Sequence, residues 1–122
     1  MSPDPWTGMP TFEQQQFDNT IPAVLSCLEH CEQCAAHCTD HASAALARCI
    51  KLCHACAESC VFCMKALSSW LPQQAKKACE VCADFCNACA LECAQIGEDQ
   101  IMTDCAAACR ECAQACRRVA GL

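Results

Sequence analysis

The sequence predicts an all-α protein: an antiparallel, up-down-up-down four-helix bundle with a cysteine-lined core and a short N-terminal arm. Three observations predict it. The 18 cysteines fall in four runs, and within every run the steps are 3 or 4 residues in strict alternation, which is the spacing of one buried stripe on an α-helix. Alanine, 22 residues of the 122, fills much of the remainder, favouring helix and letting helices approach closely. Proline and glycine stand where helices ought to end, at Pro72, Gly97 and Gly121.

The chain begins with an arm, residues 1–19, which carries no cysteine and holds three of the five prolines. Its segment 11–17 is expected to form a short helix with Phe12 and Phe17 outside the bundle. The bundle domain is placed at 20–122. Its first helix is expected to start at Asn19 or Thr20 as N-cap, with Pro22 in the first turn, and carries Cys27, Cys31, Cys34 and Cys38. Asp40 and Ser43 are good N-cap types and mark a tight turn before the second helix, which carries Cys49, Cys53, Cys56, Cys60 and Cys63. A single long helix through this point would have to find its partner in another chain. The second helix is expected to run to Leu71, stopped by Pro72. The third, with Cys79, Cys82, Cys86, Cys89 and Cys93, closes at Gly97; Glu98 or Asp99 caps the fourth, with Cys105, Cys109, Cys112 and Cys116, which ends at Gly121.

In an ordinary bundle these stripes are Leu, Ile and Val. Here they are cysteine alone. Extended one step toward the pole shared by the 2–3 loop, the stripes reach Val24, Leu67, Trp70, Ala75 and Val119, an apolar plug. Toward the other pole they reach His41, Leu46, Ile96 and Met102, with His37 on the flank. Imidazole and thioether ligate soft or borderline metals, so this pole is the expected mouth for metal entry, at His37, His41 and Met102. The plainer reading is that Met102 fills space and His41 is a solvated helix end. His30 and His54 lie off the stripe, as surface histidines.

Composition excludes several classes of function. A net charge of −6 argues against nucleic acid or an anionic membrane as partner, and no apolar stretch reaches spanning length. The N-terminal residues contain no basic, apolar export signal, so the cytoplasm, where thiols stay reduced, is the expected compartment. No nucleophile–base pair or phosphate loop is present, and a catalytic thiol would be one low-pKa cysteine among unlike neighbours, so no enzyme is expected.

Three chemistries compete for the thiols. Disulfides within one helix are strained, because residues three or four apart hold their Cβ atoms about 5–6 Å apart where a disulfide needs about 3.5–4.5 Å. The twin CX9C hairpins of oxidising compartments carry two cysteines per helix, not four or five. Zinc and iron–sulfur sites use knuckles and loops, and about four zinc ions would leave more than half of the buried thiolate charge uncompensated. Copper(I) meets both tests. A soft monovalent ion accepts two or three thiolates on adjacent turns or facing helices, and roughly one Cu(I) per Cys makes the filled core neutral.

Four helices bearing CxxxCxxCxxxC-type ladders, from Cys27 through Cys116, resemble the bacterial copper storage proteins, and the absence of an export signal looks like their cytosolic branch. The resemblance covers about residues 20–120. It implies a bundle holding many Cu(I) ions on cysteines, entry at an end lined by His or Met, and a homotetramer; exposed Val61, Phe62, Val81 and Phe85 also favour a homo-oligomer. Copper would be exchanged with a donor and an acceptor that the sequence does not name. The alternatives kept open are a general soft-metal buffer or detoxification protein for Zn, Cd or Ag, and a disulfide-stapled helical protein.

Overall fold

The computed structural model describes residues 11–41, 43–97 and 99–122. Four helices account for nearly all of them: α1, Phe12–Asp40; α2, Ala47–Ser68; α3, Pro72–Ile96; and α4, Gln100–Ala120. A single 3-10 turn, Ala44–Leu46, joins α1 to α2, so the chain does turn where Asp40 and Ser43 suggested, with Ser43 preceding the 3-10 turn.

Each helix packs against its sequence neighbours, and α1 closes the ring on α4. The sulfurs show the direction of each helix. Between α2 and α3 the pairs Cys49–Cys93, Cys53–Cys89, Cys56–Cys86 and Cys63–Cys79 lie 3.6–3.7 Å apart, rising on one strand of the ladder as they fall on the other, which is antiparallel packing. Across the bundle diagonal, Cys27–Cys86, Cys31–Cys89 and Cys34–Cys93 rise together, so α1 and α3 are parallel. That is the up-down-up-down order.

Three boundaries differ from the sequence expectation. First, α1 begins eight residues earlier than Thr20. Thr11 and Gln14 form a capping box, each side chain accepting from the other's backbone N–H at 3.1 Å, and this satisfies two otherwise orphaned donors. Residues 12–19 are therefore the opening turns of α1, continuous with the bundle; the expectation for residues 1–10 lies outside the described residues. Second, Pro22 sits in the interior of α1, not in its first turn. It removes one helical hydrogen bond, to the carbonyl of residue 18, which lies on an exposed residue where water can replace it. Third, α2 stops at Ser68, and Pro72 opens α3 as its first residue, the position where a missing N–H costs nothing. Trp70 makes the turn between them with φ +64°, a left-handed conformation uncommon for a residue with a Cβ.

Gly97 and Gly121, at φ +48° and +80°, end α3 and α4 as left-handed caps. At Gly97 a Cβ would meet the Ala94 carbonyl oxygen at 2.9 Å, so only glycine fits there without a shift. Asp99 caps α4 by accepting from the Met102 N–H at 3.0 Å. Glu98, the other candidate cap, lies outside the described residues.

The plugged pole is apolar, as the stripes imply. Val24, Leu67, Ala75 and Val119 are buried, Trp70 is half-buried, and a residue expected outside joins them: Phe17 is 2% exposed and belongs to the core cluster. Phe12 is 82% exposed. A Glu13–Lys76 ion pair at 3.0 Å ties the start of α1 to the start of α3.

Candidate metal centre

The strict 3-4 alternation places one thiol per turn on the inward line of each helix, and the antiparallel ring turns all four lines toward one axis. The result is a continuous column of sulfur. All 18 cysteines are fully buried and every one is a free thiol. Many neighbouring Sγ atoms stand 3.6–4.0 Å apart, both along and between helices. Cys27 alone has Cys31, Cys56, Cys86 and Cys109 within that range, one on its own helix and one on each of the others.

Several groups of four sulfurs have all members within 4.8 Å of one another, among them Cys27, Cys31, Cys56, Cys109; Cys27, Cys60, Cys86, Cys112; and Cys34, Cys49, Cys53, Cys93. Spacing alone admits a tetrahedral ion, since Zn–S bonds of about 2.3 Å imply S–S edges of about 3.8 Å. The groups overlap, however: Cys27 and Cys53 each serve two of them. Zinc ions filling one group would take ligands from the next, whereas bridging thiolates shared between monovalent ions suit a column in which every sulfur has several sulfur neighbours.

The surroundings make charge decisive. Among the described residues the only buried polar or charged side chains are Thr20 and Ser59, both neutral. No buried cation stands ready to balance thiolates. Empty, the column is stable only as neutral S–H, which behaves as a small hydrophobe. At Cys38, near the C-terminal end of α1, burial and the nearby Cys49 push the thiol up to about 11.

At the pole opposite the plug, the structure places His37, His41 and Met102 beside Asp99, a residue that sequence reasoning assigned only to capping. Met102 is 2% exposed and belongs to the same buried cluster as the cysteines. His37 is half-buried, and its Nε2–H donates to Asp99 Oδ2. The same carboxylate caps α4 through its other oxygen, so Asp99 fastens the end of α1 to the start of α4. The Met102 amide, and then His37, hold the Asp99 carboxyl below the ordinary carboxylate range. His41 is exposed. Its Nδ1–H donates to the His37 carbonyl at 2.9 Å, and its ring stands 4.4 Å from that of His37, centroid to centroid. With those donors fixed by their acceptors, neutral His37 keeps its Nδ1 lone pair and neutral His41 its Nε2 lone pair. An Arg48–Glu92 ion pair, 3.3 Å, bridges α2 and α3 toward the same pole.

Two contributors were not visible in the cysteine pattern. Asp99 was readable as a cap, but its pairing with His37 joins residues 62 apart in sequence and no local signal carries it. Ser59, one residue before Cys60, places its hydroxyl against the column. Its signal was available: it is the one hydroxyl inside the second cysteine run.

A four-helix bundle whose interior is a shared column of free thiols defines a protein of the cysteine-cored, soft-metal-binding class. The chain belongs to the copper storage protein family, whose model matches residues 13–121. The Cu(I)-bound copper storage protein BsCsp3 superposes with a TM-score of 0.81 at 34% identity, covering 87% of this chain and 99% of that one. A cytosolic copper storage protein from Streptomyces lividans, solved with five coppers, gives 0.81 at 28% identity, covering 90% and 96%. The uncharacterized cysteine-rich protein YhjQ of Bacillus subtilis is 34% identical over 108 residues, 88% of this chain and 98% of its own length.

Proposed function

We propose that this protein stores and sequesters Cu(I) in the cytosol, holding many ions on the 18 cysteines of its core at roughly one per thiol. The single observation that carries this reading is the fully buried, shared column of free thiols with no buried cation beside it among the described residues. Each Cu(I) that enters displaces one thiol proton, which leaves to water. Copper and sulfur keep their oxidation states, and the core exchanges one positive charge for another, so filling it creates no buried net charge. Binding and release are then the whole activity, with no chemistry performed on the cargo. The relatives solved with copper bound support the choice of metal.

His37, His41 and Met102 are read as the entry, because the opposite pole is closed by Phe17, Val24, Leu67 and Val119. The exposed apolar residues Phe62, Val81 and Phe85, together with the family resemblance, support a homo-oligomer, a tetramer. Anaerobic titration of the reduced protein with Cu(I) against a chromophoric chelator, with zinc in parallel, tests the function. We expect saturation near one copper per cysteine. Saturation at a small fraction of that ratio, or tighter stoichiometric zinc loading, would overturn the copper reading in favour of a general soft-metal buffer.

A further inference from the structure

Of the two buried hydroxyls among the described residues, Thr20 donates to the Gln16 carbonyl at 2.8 Å on its own helix. Ser59 is different. Its Oγ lies 2.7 Å from the Cys56 carbonyl oxygen and 3.6 Å from Cys82 Sγ on the facing helix. One hydroxyl proton thus has two acceptors, and which one takes it depends on the state of the sulfur. A neutral thiol is a weak acceptor, so in the empty protein the carbonyl holds the proton. A sulfur that has given up its own proton to bind Cu(I) carries negative charge and accepts far more strongly. A rotation about the Ser59 Cβ–Oγ bond brings the proton to it without moving a heavy atom.

We propose that Ser59 is a positioning residue that makes the layer around Cys82, toward the plugged pole, the part of the column that copper occupies first. The argument rests on the Cu(I)-storage reading. Cys82 lies 3.9 Å from Cys60 and 3.8 Å from Cys86, so sulfurs from two helices are at hand to complete a two- or three-coordinate site. At low loading each bound ion leaves its bridging thiolates short of positive charge, and Ser59 supplies the one hydroxyl donor against the column among the described residues, a stronger donor than the S–H groups around it. A hydrogen bond to a charged group in such surroundings corresponds to about a tenfold preference or more over otherwise equal layers. When the column is full, every sulfur is neutralised by copper and the preference no longer matters. Ser59 therefore sets the order of filling and leaves the capacity alone.

The test loads the full-length, reduced protein anaerobically with a few equivalents of Cu(I) and locates the metal by copper anomalous scattering in crystals. Wild type, S59A and S59T are compared. The expected result is occupancy concentrated around Cys60, Cys82 and Cys86 in the wild type and in S59T, which keeps the hydroxyl. In S59A that occupancy should fall about tenfold relative to the other layers, with total capacity in a chelator titration unchanged. First occupancy elsewhere in the wild type overturns the proposal, and so does an S59A map identical to the wild type; the wild-type result decides even if S59A does not fold. Failure to take up multiple copper ions at all would instead overturn the storage reading on which the proposal rests.

Discussion

Asp99 serves two purposes with one carboxylate, capping α4 and holding His37, and both are strengthened when it is ionised. Its carboxyl is held below the usual range first by the Met102 amide and then by His37. The sign of the linkage follows: a carboxyl depressed in the folded state contributes stability that is present above its unfolded pKa and is lost as pH falls through the folded one. The metal-free protein should therefore lose stability on acidification below about pH 4 partly through this residue. Asn is also a good cap but does not titrate, so D99N should be less stable than wild type at neutral pH and should lose that difference in acid. Urea unfolding of both proteins at a series of pH values reads it, and a gap that persists unchanged in acid would show that the carboxylate charge contributes nothing.

The first helix is where packing overrode the local reading. Pro3, Pro5 and Pro10 made the N-terminal residues look like an arm, and Pro22 looked like a first-turn proline because a later helix start was assumed. The contrary signals were present, a Thr11–Gln14 capping box and a Phe17 seven residues before Val24 on the line that continues through the cysteines. They were outweighed because a four-residue box is weak until a buried face behind it is known. The cysteine helices needed no such arbitration, since a 3-4 alternation sustained over four or five thiols fits no other regular structure. The residue types at the pole opposite the plug were legible, but the fastening of His37 to Asp99 depends on tertiary placement and no local pattern encodes it. If α1 truly begins at Phe12, Phe17→Ala should cost the metal-free protein about 3–5 kcal/mol, the range for emptying a buried aromatic site. An arm lying outside the bundle would give a change near zero in the same denaturation experiment.

For the molecule as a whole, the proposed entry at one pole and the apolar plug at the other predict different effects of mutation. Replacing His37 and Met102 together with Ala should leave copper capacity nearly unchanged, because the cysteines hold it, while slowing uptake from and release to a competing chelator. Leu67→Ala at the opposite pole should cost about 2–5 kcal/mol in stability with little effect on transfer rate. Stopped-flow exchange separates the two; wild-type exchange in the mouth variant with altered exchange in L67A would mean that the poles have been assigned in reverse. Light scattering should give a tetramer at micromolar concentration, and a monomer there would leave Phe62, Val81 and Phe85 without the covering surface inferred for them. The closure of one pole by Phe17, Val24, Leu67, Ala75 and Val119 has a consequence for the history of the cargo. With entry at His37, His41 and Met102 as proposed, a column sealed at its base would fill and drain through one opening and would behave as a stack and not as a conduit. If it is charged with one copper isotope and then topped up with another, the latecomers should be the first to depart, and the earliest arrivals should remain as a slowly exchanging reserve.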